Sequence, residues 1–110
     1  MGNFNVSNYD IHTDDENSEE KIKILFFKSD HCAFCPAALE RVRRTIQQFG
    51  EDAIELEIID VEKDPDMAQK YGVLALPTII IGDKSVAGVP DTEKLLSMIL
   101  TARLTYGDDY

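Results

Sequence analysis

Cys32 and Cys35 are the only cysteines of this 110-residue chain, and they stand three positions apart. An apolar run, Ile22-Lys23-Ile24-Leu25-Phe26-Phe27, precedes them. A stretch of helical periodicity follows, in which Leu39, Val42, Ile46 and Phe49 share one face. Two thiols so spaced close a disulfide without moving the backbone far. With a strand ahead and a helix behind, the pair falls at a helix N-terminus, where backbone amides favour negative charge and lower the pKa of the leading thiol. A disulfide scaffold uses more cysteines at wider spacing, and four zinc thiolates are not available. Taken alone, the pair is still compatible with half of a shared metal site or with two core cysteines.

The remaining pattern defines the elements around it. Gly50 is placed to end the first helix. Ile54, Leu56 and Ile58 alternate with Glu55 and Glu57, and Ile59 and Val61 extend the run, so a strand is expected over 54–60. Asp64-Pro65 has the form of an N-cap and first helical residue for a short helix, 65–71, ending at Gly72. Thr78 to Ile81 make a third strand, Gly82-Asp83-Lys84 a hairpin turn and Ser85 to Ala87 a fourth strand. A last helix, Asp91 to Arg103, puts Leu95, Ile99 and Ala102 on one face with Leu96 and Leu100 beside it. The order β-α-β-α-β-β-α predicts an α/β fold. Its mixed four-stranded sheet is flanked by three helices, with a right-handed parallel crossover first and an antiparallel hairpin later. No internal repeat is present, and 44% hydrophobic residues suffice for the core of one domain.

The net charge of −10 is concentrated at the ends. Residues 1–20 hold Asp10, Asp14, Asp15, Glu16, Glu19 and Glu20 without a single Lys or Arg, and Asp108 and Asp109 lie in the last four positions. A solvated, disordered arm over 1–20, a folded domain over 21–106 and an acidic tail over 107–110 are the expected organisation. The acidity opposes binding to nucleic acid. No apolar run approaches the ~18 residues of a membrane span, and the polar start lacks the charged and apolar regions of a secretory signal. A monomer in the cytoplasm is expected.

A second motif adds specificity. The run Asp64-Pro65-Asp66-Met67-Ala68-Gln69-Lys70-Tyr71-Gly72-Val73-Leu74-Ala75-Leu76-Pro77-Thr78 closely resembles the thioredoxin superfamily's passage from its second helix to its cis-proline. Pro77 lies 42 residues after Cys35, about the spacing of that family. The resemblance covers residues 22–103 and implies the thioredoxin fold. It also implies a cytoplasmic protein disulfide oxidoreductase with no bound cofactor. Its partners would be disulfide-containing substrate proteins and a separate electron-donating disulfide reductase. Cys32 is expected to attack and Cys35 to resolve, with His31, Phe34, Ala75, Leu76, Pro77 and Gly88 around the substrate groove. The resemblance further implies a cis Leu76–Pro77 peptide facing the cysteines.

The chain also departs from thioredoxins, which usually present Trp-Cys-Gly-Pro-Cys-Lys. Here the segment is His31-Cys32-Ala33-Phe34-Cys35-Pro36, and no tryptophan occurs. Phe34 stands where glutaredoxins carry a Tyr. Pro36 is similar to the residue found there in small archaeal glutaredoxin-like thioredoxins, and it moves the regular helix start toward Cys35. The positions of the buried thioredoxin Asp and its Lys partner hold Phe26 and Ile58, so no buried carboxylate is expected behind Cys35. His31 is either a charge partner of the Cys32 thiolate or an exposed loop residue. Lys28 either helps electrostatically or snorkels from the strand end. Arg41, Arg43 and Arg44 are taken as a solvated helix face. The alternatives are a glutathione-dependent glutaredoxin, for which only one glycine stands near Asp91 and Thr92, and a metal or iron–sulfur module using the two cysteines.

Overall fold

A computed structural model describes residues 21–107. The expected arm over 1–20 and the tail beyond Gly107 lie outside the described residues. The elements are β1 (Ile22–Lys28), α1 (Cys35–Phe49), a 3-10 turn (Glu51–Ala53), β2 (Ile54–Asp60), α2 (Pro65–Lys70), β3 (Thr78–Ile81), β4 (Lys84–Ala87) and α3 (Thr92–Gly107). They form the α/β arrangement expected of the thioredoxin fold, a mixed four-stranded sheet of order β2-β1-β3-β4 with three helices. β1 pairs with β2 in parallel from Ile22↔Ile54 to Lys28↔Asp60. It pairs with β3 in the antiparallel sense from Ile24↔Ile81 to Phe27↔Thr78.

β1 is central because its residues are apolar on both faces. Ile22, Ile24 and Phe26 enter the larger core with Ala38, Val42 and Ile46 of α1 and Leu95, Met98, Ile99 and Ala102 of α3. Leu25 and Phe27 turn the other way, against Ile59, with Met67 of α2 and Val73 packed beside them. Thr45 is buried in α1, and its hydroxyl donates to the Arg41 carbonyl at 2.8 Å, so the polar group is satisfied within its own helix.

Some expectations are corrected. The buried stripe of α3 is completed by Met98, at the i, i+3, i+4, i+7 spacing of Leu95, Met98, Ile99 and Ala102, whereas Leu100 is exposed. That helix runs past Arg103 because no breaker occurs before Gly107. β4 begins at Lys84, which pairs with Ile81 across a two-residue turn. Gly82 supplies the φ of +63° the turn needs, and a Cβ there would sit 3.2 Å from that of Ala102. Ile58 lies on the edge strand β2, which has a neighbour on one side only, and is 40% exposed rather than buried behind Cys35. Among the described residues no helix is long and apolar enough to cross a membrane.

Phe26 is fully buried where β1 meets α1. Phe26→Ala should therefore cost roughly 3–5 kcal/mol in urea-unfolding free energy. A loss below about 1 kcal/mol would contradict this packing.

Candidate active site

The segment Ser29 to Phe34 carries the chain from the end of β1 into α1. The His31 N–H donates to Ser29 Oγ at 3.2 Å, and the Cys32 N–H reaches the Ser29 carbonyl at 3.4 Å, so the turn is closed on itself. α1 begins at Cys35. Its N-cap residue, Phe34, offers no side-chain acceptor, Pro36 removes one donor, and the first turn has no acidic residue. The Cys35 N–H donates to the Cys32 carbonyl at 3.3 Å and the Ala38 N–H to the Phe34 carbonyl at 3.0 Å, so the positive end of the helix dipole rather than a row of free amides faces the cysteines.

Cys32 and Cys35 are joined by a disulfide whose Cα atoms are 5.4 Å apart, within the ordinary range for such bonds. Their surroundings differ. Cys35 is 4% exposed and belongs to the main core with Phe26, whereas Cys32 is only partly buried at its margin. A groove of about 480 Å³ opens at the disulfide, with His31, Cys32, Phe34, Val61, Leu74 and Leu76 among the residues that line it. Ala75 also lines it. Phe34 is 66% exposed and Leu74 97% exposed, an apolar rim beside the reactive pair.

Two of the expected groove residues stand apart. Pro77 is buried and Gly88 lies outside the groove lining. They meet each other, the Gly88 N–H donating to the Pro77 carbonyl at 2.9 Å. The Leu76–Pro77 peptide bond is cis, and Thr78 Oγ1 donates to the Ala75 carbonyl at 2.6 Å. Arg41 departs from the expected solvated helix face. It is half-buried and its guanidinium donates to the Pro90 carbonyl at 3.0 Å, tying α1 to the loop after β4. Asp91 caps α3, accepting from the Lys94 N–H at 2.8 Å.

Charges gather where β1 and β2 end. Lys28 Nζ lies 3.1 Å from Asp30 Oδ1 and 3.6 Å from Asp60 Oδ2. The Asp30 hydrogen bond, outweighing burial, holds the Lys28 ammonium above its usual range. Burial works against charge on Asp60. The N–H groups of Glu62 and Lys63, with the charges of Lys28 and Lys63, outweigh it and keep that carboxyl below the usual carboxylate range. His31, 82% exposed at its side chain, places Nδ1 3.1 Å from Glu62 Oε2. Glu62 carried no local signal in the sequence, since 31 residues separate it from its partner.

The thioredoxin domain family matches residues 20–100. A thioredoxin of Methanocaldococcus jannaschii is 42% identical over 80 residues, covering 72% of this chain and 93% of that protein. The chain belongs to the thioredoxin family. Among solved structures, a mutant thioredoxin from Halobacterium salinarum matches with a TM-score of 0.66 at 26% identity, covering 82% of this chain and 81% of that one. Oxidized mitochondrial thioredoxin 3 from Saccharomyces cerevisiae matches in fold with a TM-score of 0.64 at 20% identity, covering 79% and 84%. A thioredoxin-family chain with its paired cysteines closed into a disulfide is a dithiol–disulfide oxidoreductase. The tryptophan and buried carboxylate usual in thioredoxins are replaced here by His31 and Phe26.

The Asp60 shift fixes a pH dependence. A carboxyl held below its unfolded value stabilises the fold fully above the usual carboxylate range and loses that contribution as pH falls through its folded value. The stability gap between the native protein and Asp60→Asn, from urea unfolding, should be flat from pH 7 to about 5 and narrow below about 4. A gap that widens on acidification would contradict the arrangement.

Proposed function

We propose that Cys32 is the attacking thiol and Cys35 the resolving thiol of a carrier that reduces disulfides in proteins. The observation that carries this is the unequal burial of the two cysteines, Cys35 in the core at the helix start and Cys32 only partly buried in the turn before it. The half-exposed Cys32 thiolate attacks one sulfur of the substrate disulfide, forming a mixed disulfide and releasing the first substrate thiolate. Cys35 then loses its proton and attacks Cys32 Sγ. The Cys32–Cys35 disulfide forms, the second substrate thiolate leaves, and the two protons end on the substrate thiols. Two electrons pass to the substrate. A separate disulfide reductase returns them, and the chain itself needs no nicotinamide, flavin or metal.

The groove supports a peptide-binding reading. His31, Phe34, Ala75 and Leu76 form its walls, and Pro77 and Gly88 shape the backbone behind them. The ladder between β1 and β3 begins only at Thr78, so the Leu76 backbone before it is offered to an extended substrate as an added strand. The exposed Phe34 and Leu74 favour apolar residues flanking the substrate cysteine. We assign the activity to a monomeric domain over residues 21–106 acting in the cytoplasm, with the acidic arm over 1–20 dispensable for it.

Thiol trapping tests the assignment. Cys35→Ser, mixed with oxidised substrate proteins, should accumulate mixed disulfides through Cys32 that a reductant releases, and Cys32→Ser should accumulate almost none. Equal trapping by the two variants would overturn the order of attack.

A further inference from the structure

The His31–Glu62 contact joins two turns that are each fixed by their own backbone bonds. The His31 N–H is held by Ser29 Oγ at 3.2 Å, and the Glu62 N–H by Asp60 Oδ1 at 2.9 Å. Between these anchored backbones the side chains meet at 3.1 Å, with Nδ1 committed to the carboxylate. An exposed imidazole without such a partner exchanges among rotamers. With Nδ1 engaged, Nε2 is the nitrogen left for the groove, which His31 and Cys32 line together.

The other charges nearby are already engaged with one another. Lys28 is taken up by Asp30 and Asp60, and Lys63 bears on Asp60. Among the described residues, Glu62 is thus the carboxylate that contacts His31. We infer that Glu62 is a positioning residue for the reductase reaction, holding His31 beside Cys32 so that a protonated imidazole supports the Cys32 thiolate. The inference rests on Cys32 being the attacking thiol.

Glu62 has two opposed effects on Cys32, and this makes the idea testable. Directly, a carboxylate disfavours a nearby thiolate. Through His31, it favours one by holding the imidazolium in place. The His31–Glu62 contact is solvent-exposed, so the coupling belongs in the range of exposed ion pairs, equivalent to about a two- to fourfold change in thiolate reactivity. The experiment compares the reduced full chain with Glu62→Gln, His31→Gln and the double variant. The rate of iodoacetamide alkylation is followed from pH 5 to 9, and mass spectrometry locates the modified sulfur. Thermal unfolding of each variant checks that the fold is kept.

With His31 present, Glu62→Gln should slow Cys32 alkylation about two- to fourfold near pH 6 and leave the limiting alkaline rate unchanged. With His31 replaced, the same substitution should not slow it and should speed it slightly. Superimposable pH profiles for the native chain and Glu62→Gln, or equal slowing in both backgrounds, would overturn the role of Glu62. First alkylation at Cys35 would instead overturn the thiol assignment beneath it.

Discussion

The site depends on β1 being buried on both faces. Ile22, Ile24 and Phe26 anchor α1 and α3, while Leu25 and Phe27 anchor the α2 side. A one-residue slip would exchange Ile24 and Phe26 with Leu25 and Phe27 between two differently shaped cores and carry Lys23 toward the larger one. Its end therefore fixes where Ser29 to Phe34 emerge. The parallel pairing with β2, carried through to Lys28↔Asp60, brings Val61 and Glu62 level with the same turn. The antiparallel pairing with β3 ends at Phe27↔Thr78, which delivers Leu76 and Pro77 to it from the other side. Three separate stretches of sequence thus converge on the disulfide through the register of one strand.

From that convergence follows the difference between the two cysteines. Cys35 is the first residue of α1 and turns into the core beside Phe26, whereas Cys32 stays in the turn at the groove. The uncapped helix start favours negative charge at the exposed position, and the apolar contacts behind it disfavour charge at the buried one. Ile58 is exposed on the edge strand and is not among the residues of the core that holds Cys35, to which β2 contributes Ile54 and Leu56 instead. The charged residues where β1 and β2 end are arranged among themselves, which keeps Lys28 occupied and pairs His31, the sequence neighbour of Cys32, with Glu62.

What the sequence made legible was local. The apolar run at 22–27, the helical stripe to Phe49, the Asp64-Pro65 start and the Gly82 turn each carry their signal within a few residues, and those elements lie where they were expected, the turn being one residue shorter. The cysteine pair at a helix start was legible for the same reason, and the match from Asp64 to Thr78 tied it to a family. Contacts made by tertiary folding left no such trace. Arg41 looks like its neighbours Arg43 and Arg44, yet reaches Pro90 across 49 residues. Ile58 continues a clean alternation, and only the strand order reveals that it sits at an edge. Leu74 lies in a loop without periodicity, so nothing nearby foretold that it would stand almost wholly in solvent at the rim of the groove.

The proposed cycle closes at Cys35, whose core neighbours among the described residues are apolar and include no carboxylate. The lifetime of the mixed disulfide between the native protein and a disulfide-bonded substrate, followed by acid quench from pH 6 to 9, tests it most directly. Attack by a buried thiol that must first ionise into its thiolate should shorten that lifetime by about tenfold per pH unit while the thiol remains mostly protonated. A lifetime independent of pH across that range would contradict the account, because it would mean that some other group already holds the proton of Cys35.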